Sequence, residues 1–399
     1  MNLIAITLVA PASENIQGTS ALPYHLLKNR ANDIDLILYT FNSNHLSDSK
    51  ISEVEKELNC RIVVIPIPRW VNFLIYSSLG MVLRFILPYP LLNYLLLPHQ
   101  ILSEIKSSSI DGVFIYGEEL SRVVRQLNGS ARCIHVLPDC ESLFYARLLK
   151  EKHLMDKITW IKARLMIRKF VRIEKTFIPT NTRYYLVGDI DAQRLQTLNK
   201  KLDVHFFRHP HYTVMNESRK INFHVGKIEL LIAGQANLYM KYGVEAVCKA
   251  LCNSTALNQF YRITFLGRGW NKYAHLLSQY GFDVRHINYA DNYIEEICKY
   301  DIQLTPIVIG TGTKGKVLDA IANGLLVIGT PYALENIAAK DNNSCLEYHT
   351  MDELLHLLFE IACNRGYYEK IADRGRETVL QIHDAKKVFT EMFKWYHQG

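Results

Sequence analysis

Residues 301–330, DIQLTPIVIGTGTKGKVLDAIANGLLVIGT, contain a complete supersecondary unit. The stretch opens with an alternating apolar run that suits a strand, then passes through a loop with glycines at 310, 312 and 315. It enters an apolar-periodic helix from Val317 to Ala322. Gly324 suits a helix C-cap, and Leu325 to Gly329 reads as a second strand. Strand, glycine loop, helix and strand in that order belong to a parallel sheet. Glycine lets the backbone approach a ligand closely, and the N–H groups and dipole at a helix start favour an anion, phosphate above all. The phosphate of a nucleotide is the expected occupant.

Two mechanisms compete for this loop. Gly310 to Lys316, GTGTKGK, satisfies the GxxxxGK part of a P-loop. That mechanism needs a Ser or Thr hydroxyl next, where this chain has Val317; about 80 residues follow, and such a domain needs roughly 150. The alternative rests on GTGTKGKVLDAIANGLLVIGT, which resembles the donor-site segment of the group 1 (family 4) glycosyltransferases. That pattern runs Gly-x-Gly, Lys-x-x-Glu-Ala, a small residue, Gly, and an apolar strand ending in Thr. The matching positions are Gly310, Gly312, Lys316, Asp319, Ala320, Ala322, Gly324 and Thr330. Asp319 stands for the second acid of the family's paired-Glu motif, one methylene shorter, and Thr311 stands where the first acid would fall. The resemblance implies that amides from Gly310 through Thr311, Gly312 and Thr313 meet the donor's diphosphate or sugar. It also implies that Lys316 offsets phosphate charge and Asp319 binds the ribose hydroxyls. The residues alone also fit a glycine turn, a solvated lysine and a helix N-terminal aspartate.

A chain of 399 residues, 49% apolar and 21% charged, is a folded protein of two or three domains. Its eight cysteines are scattered with no Cys-x2-Cys pair, and MNLIAITLVAP reads as a first strand and not as a leader. Reduced thiols and a cytoplasmic location follow, with a peripheral place on the inner face of the membrane as one option. Residues 1–220 carry 28 Lys and Arg against 20 Asp and Glu, whereas 221–399 carry 18 against 19. The basic excess of the first half suits a lipid surface or a phosphorylated substrate. No nucleic-acid motif accompanies it, so no nucleic-acid partner is expected.

From the start, strands at 3–9, 36–41 and 61–67 alternate with helices at 21–29 and 51–58, the pattern of a parallel sheet. Gly18 and Thr19, at the first strand-to-helix turn, resemble the loop where the same family admits its acceptor. Trp70 to Pro98 is the most apolar segment, but Arg84, Pro88 and Pro90 interrupt it, so two short helices are expected and not a span. They read either as an internally packed pair or as a monotopic membrane contact. Strands at 112–116 and 132–137 follow. The second ends at Asp139, where open α/β sheets bind ligands. Asp139 and Ser142 resemble the family's Asp-x-x-Ser stretch, which places Asp139 in the acceptor pocket, with a helix N-cap as the alternative. Residues 156–175 read as an amphipathic helix with seven basic residues, suited to anionic headgroups or to a solvated surface. Asp189 and Asp191 read as helix caps. With no cluster of ligands at metal spacing, neither a catalytic metal nor a cofactor is expected.

A second α/β series opens with a strand at 229–233 ending in Gly234, and another at 262–266 ending in Gly267. The family has an Arg after the first of these glycines and a Lys six residues beyond that glycine. Gln235 replaces the Arg here, and Lys241 lies one place late. Tyr289 flanks the expected base site. The resemblance thus implies two Rossmann-like domains facing a cleft, the GT-B arrangement. Its N-terminal acceptor domain spans 1–215, its nucleotide-sugar domain 216–383, and a terminal helix at 384–399 crosses back to the first. The implied activity moves a hexose-type sugar from a UDP- or GDP-linked donor to a glycan or lipid-linked acceptor, with retention and without metal. Lys316, Lys241 and Asp139 are its catalytic candidates. A P-loop hydrolase, a non-catalytic sugar-nucleotide binder and a sugar-nucleotide epimerase are the competing classes.

Overall fold

A computed structural model describes residues 1–16, 19–127, 131–215 and 220–397. The chain forms two compact units, Met1–Pro210 with Ala385–Gly399, and His211–Asp384. In the first, β1 (Asn2–Thr7), β2 (Asp35–Thr40), β3 (Arg61–Val64), β4 (Gly112–Tyr116), β5 (Arg132–Leu137), β6 (Thr182–Leu186) and β7 (Asp203–Phe206) make one sheet. Its order is β3-β2-β1-β4-β5-β6-β7, and every pairing is parallel. All of β4 is buried, as a central strand covered on both faces requires. The order reverses between β1 and β4, so the loops leaving their carboxyl ends diverge there.

The terminal helix Ala385–His397 packs on this first sheet. The Phe393 ring stacks on Phe114 at 6.1 Å, and Arg132 donates to the Trp395 carbonyl at 2.8 Å. The Tyr396 hydroxyl donates to the Val113 carbonyl.

In the second unit, β8 (Ile228–Ala233), β9 (Tyr261–Leu266), β10 (Asp283–Ile287), β11 (Ile302–Thr305), β12 (Leu326–Gly329) and β13 (Leu346–Glu347) pair in the order β10-β9-β8-β11-β12-β13, again all parallel. The switch here falls between β8 and β11. The helix after the glycine loop runs from Gly315 to Ala322, starting two residues before the apolar periodicity does. Gly324 ends it at φ 86°, the left-handed conformation expected of a C-cap glycine.

Two expectations are corrected. Two short helices, Arg69–Tyr76 and Ser78–Ile86, do form, but they divide at Ser77 and not at Arg84, Pro88 or Pro90, and although Val71 is buried the pair leaves most of its apolar surface uncovered. Trp70, Phe73, Tyr76, Leu79, Val82, Phe85 and Ile86 are between 40% and 76% exposed. Asp189 and Asp191 do not cap their helix, whose N-cap is Gly188; Asp191 is fully buried and accepts the Cys140 N–H at 2.8 Å.

A Cβ on Gly243 would lie 1.9 Å from the Pro306 carbonyl oxygen, so the start of the helix Lys241–Asn253 is pressed against the chain leaving β11. Gly243→Ala should therefore destabilise the protein by about 1–3 kcal/mol. Gly366→Ala, where an added Cβ meets nothing closer than 3.9 Å, should leave the melting temperature unchanged or raise it. Calorimetric melting of the two variants makes the comparison, and equal melting points would refute the close approach at Gly243.

Candidate active site

At the carboxyl edge of the second sheet, β8 runs into Gly234 at φ 143° and β9 into Gly267 at φ 133°. A Cβ on Gly267 would lie 2.0 Å from the Gly234 carbonyl oxygen, which also accepts the Trp270 indole N–H at 2.6 Å. Only glycine fits such backbone-to-backbone contact. Gln235 follows, exposed, and Lys241 opens the next helix, also exposed. The loop leaving β11 is tied to this region because Val308 N–H donates to the Tyr239 carbonyl at 3.0 Å. Thr330 anchors the same loop by donating to the Ile307 carbonyl at 2.5 Å.

Within the loop, Gly310 lies close to the Lys314 side chain, Thr311 is buried, Gly312 turns at φ 61°, and Thr313 is half-buried. The Gly312 carbonyl accepts from Asn336 at 3.0 Å and from the Lys314 ammonium at 3.2 Å, and Lys314 also reaches the Thr311 carbonyl. Lys314 thus clamps the loop from inside, a role the sequence reading missed. The flexible lysine alternates with glycine and threonine in the string and gives no sign of folding back.

Lys316 and Asp319 lie one turn apart on the helix Gly315–Ala322, and the Lys316 ammonium sits 5.2 Å from the Tyr293 ring centre. Desolvation lowers the Lys316 pKa, and the Asp319 charge opposes the shift. Asp319 is 6% exposed, and its Oδ1 has no hydrogen-bond partner. Burial pushes its carboxyl up to about 7, against the pull of the Tyr212 backbone N–H and of Lys316. Burial, then the Asp319 charge, raises the Tyr293 phenol well above its usual value, and its hydroxyl is likewise unpartnered. A buried carboxyl, a phenol and an ammonium with unused bonding capacity are suited to hold a ligand bearing hydroxyls and negative charge. Tyr289 lies in the loop after β10 and is 69% exposed.

The first sheet has a second polar cluster at its own switch. Gly18 lies outside the described residues. Thr19 and Asp139 both act on the Tyr116 phenol at the end of β4: burial raises it most, the Thr19 hydroxyl lowers it, and the Asp139 charge raises it. Asp139 is not an N-cap, since Cys140 holds that position without a side-chain bond.

More carboxyls surround this pair, and sequence reading gave Glu118 no role. Glu118 is 5% exposed with an unpartnered Oε1. Glu174 is 1% exposed and accepts the Ser142 N–H at 2.9 Å and the Cys140 thiol at 3.4 Å. Burial, with Asp139 and Glu119 nearby, pushes Glu141 up to about 8. Burial first, then Glu174, holds Glu118 well above the carboxylate range. The available signal was Gly117-Glu118-Glu119 directly after a strand. Among the described residues, no group of three or more His, Cys, Asp or Glu is arranged to hold a metal ion.

Residues 245–394 match the family model described as Glycosyl transferase-like. HepE of Anabaena in complex with UDP is similar to the whole chain, with a TM-score of 0.67 at 8% identity over 100% of both chains. Sucrose-phosphate synthase of Thermosynechococcus elongatus gives 0.65 at 13% identity, over 100% of this chain and 99% of its own. A glycosyltransferase of Rickettsia africae gives 0.64 at 11%, over 100% and 98%. No curated protein sequence matches. The chain thus has the GT-B fold of these glycosyltransferases, two parallel-sheet α/β domains, and its residues 245–394 carry the glycosyl transferase-like segment that the motif at 301–330 resembles.

Proposed function

We propose that the chain is a glycosyltransferase that moves a hexose-type sugar from a nucleoside-diphosphate sugar to a glycan or lipid-linked acceptor, with retention and without a metal ion. The observation that carries this reading is Asp319, a buried carboxyl with an unmet oxygen, one turn from Lys316 on the helix that leaves the glycine loop. Its free oxygen suits a ribose hydroxyl. The amides of Gly310, Thr311, Gly312 and Thr313 suit the diphosphate, and Lys316 and Lys241 suit the charge that grows on the departing nucleoside diphosphate. Gly234 and Gly267, at the strand ends, are assigned to the nucleotide, with Gln235 and Tyr289 at its margins. Gly18, Thr19 and Asp139 are assigned to the acceptor. HepE has been solved with UDP and with UDP-glucose, which favours a uridine donor here.

A second reading, a non-catalytic sugar-nucleotide binder, draws on Gln235, a neutral side chain where the family has an arginine. Incubation with UDP-glucose or GDP-mannose and a crude acceptor extract separates the two. Nucleotide release supports transfer, and binding without release supports the binder. Lys316→Ala should weaken nucleoside-diphosphate binding by about tenfold, the scale of one charge-assisted hydrogen bond, with the melting temperature unchanged. Unaltered affinity by calorimetry would remove Lys316 from the site.

The raised Asp319 pKa gives a pH dependence with opposite signs for folding and binding. Between the ordinary carboxylate range and about 7, the folded protein keeps a proton that the unfolded chain releases. The stabilisation from this group is complete below about pH 4 and is lost as pH rises through 7. A carboxylate that accepts ribose hydroxyls binds best when ionised, so affinity for a nucleotide sugar should rise from pH 6 to 8. UDP-glucose is the suitable probe because its diphosphate does not titrate in that window. Asp319→Asn should flatten both profiles, and a binding curve with the same slope in wild type and variant would exclude Asp319 from the contact.

A further inference from the structure

We propose that the unit formed by Met1–Pro210 and Ala385–Gly399 docks on an anionic lipid bilayer through the outer face of the helices Arg69–Tyr76 and Ser78–Ile86, with the basic helix Lys157–Glu174 as its headgroup contact. Leu79, Val82, Leu83 and Ile86 recur at the spacing of a single helix face, the face that a soluble helix ordinarily turns to its core. Here Leu79, Val82 and Ile86 are 60%, 61% and 76% exposed, and Tyr76 of the preceding helix is 72% exposed. The two helices form a fixed pair. A Cβ on Gly80 would lie 2.5 Å from the Leu74 Cα, and the Ser77 hydroxyl caps the second helix by accepting the Gly80 N–H at 2.9 Å.

The basic helix is fastened directly beside them. The Lys169 ammonium donates to the Arg84 carbonyl at 2.6 Å, and Arg172 donates to the Pro88 carbonyl at 3.4 Å. Lys157, Lys162, Arg164 and Arg168 of that helix are exposed. Neither Arg61–Ser103 nor Lys157–Ile173 contains a single acidic residue, so neither segment brings a negative charge to the apolar face or its basic border, and Asp156 stands only at the start of the basic helix as its N-cap.

That combination selects the occupant. A second copy of this chain would set two basic rows against each other, which repel. A nucleic acid would match the basic row and leave Val82 and Ile86 in water. A bilayer with anionic headgroups satisfies both, because apolar side chains enter the acyl boundary while lysine and arginine meet phosphate. No described helix is long and apolar enough to cross a membrane, so the contact is with one leaflet. This surface does not depend on the nucleotide-site reading.

The test uses the full chain with vesicles of phosphatidylcholine, with or without roughly one third phosphatidylglycerol. Sedimentation should show binding to the anionic vesicles, weakened at high salt, and weaker binding to the neutral ones. The double variant V82E/I86E should bind the anionic vesicles at least about tenfold more weakly, with an unchanged circular-dichroism melting curve because both positions are exposed. Should that variant fail to fold, vesicles with brominated acyl chains provide the second measurement on the wild-type chain, through quenching of tryptophan near Trp70. Equal binding by wild type and variant, or no quenching, would overturn the proposal. So would a dimer in light scattering that V82E/I86E dissolves while vesicles remain unbound.

Discussion

The second unit depends on backbone meeting backbone where side chains would normally stand. Gly267 lies against the Gly234 carbonyl and Gly243 against the Pro306 carbonyl, and each contact removes the space that one Cβ would need. These contacts draw the ends of β8, β9 and β11 and the start of the helix Lys241–Asn253 to one edge of the sheet. The site is therefore a property of sheet order and glycine placement first, and of its charged residues second.

Much of this was legible because the signals are local. Alternating apolar runs gave the parallel strands, and glycines at strand ends gave the turns. The string from Gly310 to Thr330 marked the loop, its helix and the next strand to within about two residues, the usual uncertainty of helix ends. The Trp70–Pro98 segment shows where local signals stop. The interrupting Arg84, Pro88 and Pro90 suggested two helices but not the break at Ser77, and the apolar face of a helix reads the same whether it is covered or not. Exposure is a tertiary fact, and only the packing of neighbouring elements fixes it.

The carboxyl cluster of the first unit was hidden for a related reason. Glu118, Glu141, Glu174 and Asp191 come from four different loops and helices, and sequence spacing between them carries no information. The fold collects them because each follows or faces the carboxyl end of β4, β5 or β6. Burial raises the pKa values of Glu118, Glu141 and Glu174, and like charges in a poorly solvated place add to the shift at Glu118 and Glu141. The Cys140 N–H and thiol and the Ser142 N–H turn toward this cluster and satisfy part of it. Asp139, which sequence reading placed in an acceptor pocket, thus belongs to a larger acidic group and does not act alone.

Asp319 shows how burial sets the behaviour of a carboxyl. Asp319 is 6% exposed, with Tyr293 and Lys316 alongside. Desolvation there outweighs the attraction of the lysine, which is why the net shift is upward despite a cation one turn away. A ligand that supplies hydroxyl donors to the unpartnered oxygen would reverse that balance, because hydrogen bonds to the charged form restore what burial removed. Ligand binding at that oxygen would therefore favour release of the Asp319 proton.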